Sequence, residues 1–260
     1  MSNRFLIWVT FCVLPLSSFP WGVSAGSRKS YRKRHHYHFH YFHLRSPDIL
    51  VPANYQIRGI DISKYQSAID WDKIKDLDSG ENQLTFVFIK ATDGTSRQDI
   101  QFRSNWKAAR DAGLVCGAYH FFYPSRDPMI QARNFEKTVH LEPGDLPPVL
   151  DIEVANRQSA RVIRKRALLF LREMRRKFGV TPIIYTNSHF YKRYLGSSFN
   201  SYPLWISDFQ SPELPRTRRE WLFWQWSDRV HVDGIGSPVD YNIFNGNDSD
   251  LKKILVPDKP

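Results

Sequence analysis

Two carboxylates follow an apolar run in the segment LPPVLDIEVA, residues 146–155. Asp151 and Glu153 are two positions apart, and side chains alternate between the two faces of a β-strand, so both acids lie on one face if this segment is a strand. Two carboxylates at close range disfavour each other's ionisation, which raises the pKa of one of them. Such a pair can supply a proton donor and an anion at neutral pH.

A regular series of elements must position this pair. From residue 55, five strand-like runs (YQIRGIDIS, LTFVFIKAT, LVCGAYHFF, PPVLDIE and PIIYTN) are each followed by a segment of helical period. Such strand-then-helix units predict parallel strands joined by right-handed crossovers. The runs YPLWISDF, WLFWQWS and VDYNIF then predict three closing strands without crossover helices. Eight strands predict an α/β fold, an irregular TIM-like β/α barrel.

The working face of such a barrel lies at the C-terminal ends of its strands. Acidic, amide and aromatic residues collect in or near the ends of the apolar runs: Asp61, Tyr119, Asp151, Glu153, Tyr185, Trp205, Trp224, Gln225, Trp226, Asp240 and Asn242. Aromatic rings suit the apolar C–H faces of sugars, and carboxylates suit their hydroxyl groups. The sequence therefore predicts a groove that binds a carbohydrate.

Six motifs, in the correct order between residues 57 and 244, resemble those of the glycoside hydrolase family 25 muramidases. They are GIDIS, FIKATDGTS, DIQFRSNWKAARDAG, GAYHFF, LDIE and VDYNIF. The resemblance implies a lysozyme that hydrolyses the β-1,4 bond between N-acetylmuramic acid and N-acetylglucosamine in peptidoglycan. Two positions depart from the pattern, because Asp93 stands where the family usually has Glu, and Arg97 where an aromatic residue is frequent.

The resemblance also implies roles for the site residues. Glu153 is the general acid, and Asp151 and Asp240 orient the substrate's 2-acetamido group, whose oxygen attacks the anomeric carbon in a retaining mechanism. Asp61 lies across the groove, and a direct nucleophilic aspartate stays open as an alternative. The expected substrate-binding residues are Tyr119, Tyr185, Trp205, Trp224, Gln225, Trp226 and Asn242. One of the three tryptophans is expected to lie in the core instead. No cofactor or metal is expected.

Two other functions fit parts of the pattern. A chitinase-like barrel also carries an Asp-x-Glu at its fourth strand, but it has a further acid two residues earlier, where this chain has Val149. A non-catalytic barrel that binds the cell wall would lack a catalytic carboxylate, and none is missing. Both alternatives are weaker than the muramidase interpretation.

The N-terminus predicts export. Residues 1–25 have a short basic start, an apolar run and small residues at a plausible cleavage point, which indicates a signal peptide, with an uncleaved membrane anchor as the alternative. Residues 26–53 read as a basic linker rich in His and aromatics. The catalytic barrel is expected over 54–256, and the protein is expected to be secreted or held in the cell envelope or periplasm.

Charge and cysteine content limit the partners. Of the net charge of +11, residues 1–58 supply eight Lys or Arg and one Asp, so the basicity does not indicate a nucleic-acid partner. Cys12 lies in the predicted signal, which leaves Cys116 alone in the mature chain. We expect a monomer that binds peptidoglycan strands. The basic segment RVIRKRALLFLREMRRK reads as a solvated outer helix, with weak attraction to anionic envelope polymers as a secondary interpretation.

Overall fold

A computed structural model describes residues 41–43, 50–52, 55–66, 68–75, 83–209, 214–217 and 219–258. The predicted signal segment and most of the predicted linker lie outside these residues, so their boundaries stay predictions. Two short strands inside the linker range, β1 (Tyr41–His43) and β2 (Leu50–Pro52), pair in antiparallel fashion. Among the described residues, no helix combines the length and the apolar character needed to cross a bilayer.

Eight strands close into a barrel, and a short ninth strand, β5, extends the end of β4. The strands are β3 (Arg58–Ile62), β4 (Phe86–Asp93), β5 (Arg97–Gln98), β6 (Val115–Phe121), β7 (Val149–Asp151), β8 (Ile183–Asn187), β9 (Leu204–Ser207), β10 (Phe223–Val230) and β11 (Val239–Phe244). Around the barrel they follow chain order without β5, and β11 pairs with β3. This closure confirms the predicted TIM-like α/β barrel.

Helices cover the outside of the first five strands. They are α1 (Trp71–Lys75), α2 (Phe102–Asp111), α3 (Pro128–Thr138), α4 (Ala160–Phe178) and α5 (Ser188–Phe190), with α6 (Asp248–Ile254) after the last strand. A π-helical turn, Tyr191–Leu195, continues α5, and 3-10 turns cover Lys64–Gln66 and Gly196–Phe199. The five strand–helix units are those that the sequence predicts, and no helix is described between β9 and β11.

The two longest helices have ends that their sequences explain. Helix α3 begins with Pro128 at its first position, and the carboxylate of Asp127 accepts hydrogen bonds from two free backbone N–H groups. Helix α4 begins after Ser159 and ends at Gly179, whose φ of 75° is left-handed. These caps fix α3 and α4 directly after the rim ends of β6 and β7.

The last strand runs in a direction that the sequence pattern did not specify. Strands β3 to β10 of the barrel are parallel to one another, but β11 runs antiparallel to both β10 and β3. It therefore brings its beginning, not its end, to the rim where the parallel strands end. In this register Asp240 lies directly opposite Asp61.

Side chains alternate between two apolar layers. One layer fills the barrel interior and includes Phe86, Phe88, Trp205 and Phe223. The other lies between the barrel and its helices. The interior rings pack closely, since Phe88 stacks on Trp205 with 4.3 Å between ring centroids and meets Phe223 edge-on at 5.1 Å. These aromatic side chains form the base on which the site rests.

Two glycines make room for the interior rings. A Cβ atom at Gly59 would lie 2.3 Å from the carbonyl oxygen of Phe86, and one at Gly117 would lie 2.5 Å from the ring of Phe88. No side chain fits at these distances without movement of the backbone or the ring. The aromatic rings of Phe86 and Phe88 on β4 therefore fill the barrel interior next to Gly59 on β3 and Gly117 on β6.

We predict that Gly59→Ala destabilises the fold by about 3 kcal/mol, because overpacking of a filled core forces the backbone apart. Urea denaturation would measure the change. Gly236→Ala is the matched control, since a Cβ there meets no atom within 4 Å, and its free energy of unfolding should stay near that of wild type. Equal stability of the two variants would contradict this account of the interior.

Candidate active site

A cavity of about 410 Å³ opens at the rim where the parallel strands end. Eight of the eleven predicted site residues line it: Asp61, Tyr119, Asp151, Glu153, Tyr185, Trp205, Gln225 and Asp240. These residues come from seven different strands or strand ends across nearly the whole barrel. The barrel thus brings together acids that are up to 179 positions apart in the chain.

Asp61 is held by two amide side chains. Its Oδ2 accepts hydrogen bonds from Gln225 Nε2 at 2.8 Å and from Asn242 Nδ2 at 2.7 Å. Burial raises the pKa of Asp61 from its ordinary value of 3.8 to about 6, and the two amide hydrogen bonds limit the rise. Asp61 is therefore mainly an anion at neutral pH.

Asp240 is the partner of Asp61 across the β3–β11 pair. Burial, followed by the negative charges of Asp61 and Asp228, raises the pKa of Asp240 to about 9. The two carboxyl groups share a hydrogen bond. At neutral pH Asp240 thus keeps its proton, and its O–H group donates a hydrogen bond to the Asp61 anion.

Asp151 and Glu153 both line the cavity, as their two-residue spacing predicts. Leu150, which precedes them, and Ile152, which lies between them, are buried in the outer apolar layer. Burial and the charge of Glu153 raise the pKa of Asp151 well above its usual range. Burial also raises the pKa of Glu153. This pair therefore keeps a proton at higher pH than two exposed carboxyl groups would.

One oxygen of Asp151 has no partner. Its Oδ1 is buried and accepts no hydrogen bond from any of the described residues. Buried polar atoms are usually paired, and an unpaired one at a cavity is a candidate contact for a ligand. Asp151 therefore offers an acceptor to a donor group that enters the cavity.

Tyrosines and amides link the walls. The Tyr185 hydroxyl donates to Gln225 Oε1 at 2.7 Å, and Gln225 in turn donates to Asp61. Burial raises the pKa of the Tyr119 and Tyr185 hydroxyls well above the ordinary value of 10, so both are neutral. This network fixes the Gln225 amide, with its N–H group directed at the Asp61 anion.

Asn242 and Trp205 support the site from below. Trp205 Nε1 donates to Asn242 Oδ1 at 2.7 Å, which orients the Asn242 amide so that its N–H group meets Asp61. Trp205 is buried and forms part of the cavity floor. Asn242 is fully buried and does not line the cavity, so it positions Asp61 rather than contacts a ligand, in contrast to the expectation from sequence.

Trp224 and Trp226 do not lie in the cavity, which corrects their expected place in its walls. Both are buried in the layer between barrel and helices, where they contact each other edge-on at 4.6 Å. Trp224 Nε1 donates to the backbone oxygen of Asp208 at 2.9 Å. Since Gln225 between them faces the cavity, strand alternation directs both tryptophans outward.

Eight cavity residues were missed by sequence reasoning: Ile62, Ser63, Tyr65, Gln66, Lys90, Phe121, Phe209 and Asp228. Lys90 lies beside the acids, and its positive charge lowers the pKa of Asp151 and Glu153 against the larger effect of burial. It interrupts the apolar run FVFIKA of β4, a signal that could have found it. Tyr65 and Phe209 are 72% and 42% exposed at the mouth of the cavity, and they lie outside the regular strands.

The two departures from the family pattern are partners. Arg97 Nε donates to Asp93 Oδ1 at 2.6 Å, and Arg97 Nη2 donates to the Tyr123 hydroxyl at 3.1 Å. Asp93 also lies 3.8 Å from Lys90 Nζ. The shorter carboxylate at position 93 is thus engaged by the arginine at position 97, outside the four-acid cluster.

Comparisons with known proteins agree with this geometry. The family model described as "Glycosyl hydrolases family 25" matches residues 60–235. The chain is 41% identical to "Uncharacterized protein YegX" of Escherichia coli K12 over 84% of this chain and 80% of that protein. It is 31% identical to Lysozyme M1 of Streptomyces globisporus over 74% and 68% of the two chains. A family 25 glycosyl hydrolase structure from Bacillus anthracis matches with a TM-score of 0.71 and 27% identity, covering 83% and 97%.

We predict that Asp240→Asn stabilises the fold at pH 8 relative to wild type, by about 1–2 kcal/mol, and leaves stability at pH 4 nearly unchanged. The folded pKa of Asp240 is raised to about 9, so its contribution to stability is present at low pH and is lost as pH rises from about 4 to 9. Asparagine does not ionise, so it removes this loss of stability, and its side-chain N–H group can still donate a hydrogen bond to Asp61. Urea denaturation at both pH values measures the effect.

The exposed Asp258→Asn is the matched control, because it makes the same side-chain substitution outside the cavity. Its stability should follow wild type at both pH values. If Asp240→Asn is no more stable than wild type at pH 8, Asp240 does not hold a proton in the folded protein.

Proposed function

The chain belongs to glycosyl hydrolases family 25 and is a glycoside hydrolase, and from this premise we propose that it is an exported lysozyme. Its substrate is peptidoglycan, and it hydrolyses the β-1,4 bond between N-acetylmuramic acid and N-acetylglucosamine. The observation that carries the proposal is the convergence of four carboxyl groups with raised pKa values on one cavity. The similarity to Lysozyme M1 supports the same substrate.

Glu153 is the general acid of the proposed reaction. Its raised pKa keeps a proton available, and its position at the partly open end of the pair exposes it to the substrate more than Asp151. Glu153 transfers this proton to the glycosidic oxygen as the bond from that oxygen to the anomeric carbon breaks. The leaving sugar departs with a free hydroxyl group.

The substrate's 2-acetamido group is the proposed nucleophile. Its carbonyl oxygen attacks the anomeric carbon, while the unpaired Asp151 Oδ1 accepts a hydrogen bond from the acetamido N–H. Water then opens the cyclic intermediate and gives its proton to Glu153. Two displacements at one carbon retain its configuration. A nucleophilic aspartate is the alternative, and Asp61, the anion of the Asp61–Asp240 pair, is its candidate.

The Asp61–Asp240 pair supplies charge stabilisation. The buried Asp61, held by amides from Gln225 and Asn242, and the half-buried Asp240 together carry one negative charge. This charge faces the cavity, where positive charge develops on the sugar ring. Fixed charges in a site that excludes water stabilise a transition state more strongly than the same charges in solution. The neutral hydroxyls of Tyr119 and Tyr185 donate hydrogen bonds to the sugar or to its neighbours.

Export and assembly complete the proposal. Residues 1–25 act as a signal peptide or an N-terminal anchor, residues 26–53 as a basic linker, and 54–256 as the catalytic barrel. The protein acts as a monomer on glycan strands in the envelope or outside the cell, because peptidoglycan lies there. Peptide mass spectrometry of the N-terminus of the mature protein would test the cleavage site.

We expect Glu153→Gln to lower the rate of peptidoglycan hydrolysis at least about 100-fold, since general acid catalysis contributes this much or more. Purified peptidoglycan is digested with wild type and variant, and the fragments are identified by mass spectrometry. Wild type should release fragments with reducing-end muramic acid.

The matched control is Glu220→Gln, an equal change at an exposed glutamate outside the cavity, which should keep wild-type activity. Fragments with reducing-end glucosamine would identify a different bond and contradict the muramidase proposal. Cleavage of chitin oligomers in preference to peptidoglycan would favour a chitinase-like enzyme, and binding of peptidoglycan without fragments would favour a non-catalytic barrel.

Phe209→Ala and Tyr65→Ala should each raise KM for peptidoglycan about fivefold with little change in kcat, because an aromatic contact to a sugar ring contributes about 1 kcal/mol. Steady-state kinetics on solubilised glycan measures both constants. Trp226→Phe is the control, since Trp226 is buried away from the cavity and should leave KM unchanged. A larger KM effect for Trp226→Phe than for Phe209→Ala would restore Trp226 to the binding site.

A further inference from the structure

Helices α3 and α4 form a cationic face that the proposed reaction does not use. Together they contain ten Lys or Arg residues and two glutamates, a net formal charge of +8, whereas residues 59–260 as a whole carry +4. The two helices pack against each other through Phe135, Phe170 and Phe178. The positive charge of the barrel domain is therefore concentrated on one side of it, and we call this side the α3–α4 face.

Interactions within the fold explain only part of the positive charge of α4. Arg175, Arg176 and Lys177 lie in the last turn of α4, where cations interact favourably with the helix dipole. Arg164 and Arg166 donate to backbone oxygens of Tyr194 and Pro124. These five cations stabilise the fold or the helix end.

Lys137 lies in the last turn of α3 and has the same explanation, but three exposed cations of α4 do not. Arg161 lies in the first turn of α4, where the helix dipole disfavours a positive charge and where no acid is present. Arg161, Lys165 and Arg172 are exposed, and none of them has a carboxylate within 4 Å in the described part of the chain. Their spacing of four and seven residues places them along one outward stripe of the helix.

Apolar side chains interrupt this cationic stripe. Among the described residues five large apolar side chains are exposed, and two of them, Ile130 at 43% and Leu169 at 37%, belong to the α3–α4 face. Leu169 is four positions after Lys165 and lies between Lys165 and Arg172 on the stripe. It also lines a cavity of about 400 Å³ whose other lining residues are Asp127, Pro128, Met129, Val162, Lys165 and Arg166, and the Asp127 carboxylate in it is engaged by backbone N–H groups of α3.

We propose that the α3–α4 face docks on a lipid bilayer that carries anionic phospholipid headgroups. The headgroup phosphates lie against Arg161, Lys165 and Arg172, and Ile130 and Leu169 reach the boundary between headgroups and acyl chains. A soluble polyanion would satisfy the cations but would leave the apolar side chains of Ile130 and Leu169 in water. A bilayer surface satisfies both, and this proposal does not depend on peptidoglycan hydrolysis.

The first test measures binding of the full chain to vesicles of phosphatidylcholine with and without phosphatidylglycerol. The triple change Arg161→Glu, Lys165→Glu and Arg172→Glu should weaken binding to the anionic vesicles at least about tenfold, since each cation near an anionic bilayer strengthens binding about fivefold. The control triple, Arg103→Glu, Lys107→Glu and Lys252→Glu, makes the same charge change on α2 and α6 and should weaken binding less than threefold. Equal losses in the two triples would overturn the proposal.

The second test reports contact at one residue, so that attachment through the N-terminal segment does not obscure it. A polarity-sensitive fluorophore is placed on Leu169→Cys, in a chain with Cys12→Ser, because Cys116 is buried. Its emission should shift to the blue on anionic vesicles and not on neutral ones. The same label on Ile100→Cys, which is 83% exposed at the start of α2, should not shift.

A bound chain without a blue shift at position 169 would show that another surface meets the bilayer. Inorganic polyphosphate that produces the same shift as the vesicles would indicate a polyanion site rather than a lipid surface. Either outcome overturns the proposal. Hydrolysis of solubilised peptidoglycan should be equal in wild type and both triple variants, because none of these residues lines the active-site cavity.

Discussion

The central constraint in this protein is the free-energy cost of burying negatively charged carboxylates. Four carboxyl groups meet at one rim of the barrel, and burial disfavours the ionised form of each. Neighbouring carboxylates further disfavour the ionised forms of Asp61, Asp151 and Asp240. The surrounding groups limit this cost. Amides from Gln225 and Asn242 stabilise the charge on Asp61, the proton on Asp240 removes a second charge, and Lys90 offsets part of the charge near Glu153.

The polar network rests on closely packed aromatic side chains below it. Trp205 is stacked on Phe88 inside the barrel and donates to Asn242, so the packing of the interior determines where the Asn242 amide points. Six buried side-chain atoms of the described residues lack a hydrogen-bond partner, and of these only Asp151 Oδ1 belongs to a residue that lines the cavity. Unpaired acceptors of this kind lower stability in the free protein, and they are tolerated where a ligand supplies the missing donor.

Much of this arrangement could be predicted from the sequence, because it follows from periodicity. Alternating strand and helix patterns predict the barrel, and the spacing of Asp151 and Glu153 predicts that they share a face. Periodicity does not give direction, since VDYNIF reads as a strand either way, and the reversed β11 was therefore missed. Periodicity also does not show which residues of WLFWQWS face the barrel interior, because large apolar residues occur on both faces of this strand. Trp224 and Trp226 were therefore assigned to the wrong face. Tyr65 and Phe209 depend on the path of irregular segments, which propensity does not specify.

Because β11 pairs with β3, the first and the last strand of the barrel both contribute residues to the site. β3 is the first strand of the barrel and carries Asp61, and β11 is the last and carries both the proton-bearing partner of Asp61 and one of its amide donors. During synthesis on the ribosome, the nascent chain would expose Asp61, Asp151 and Glu153 long before residue 240 is translated. The cluster is complete only when β11 docks against β3, so a folding intermediate that lacks this strand pair has no complete active site.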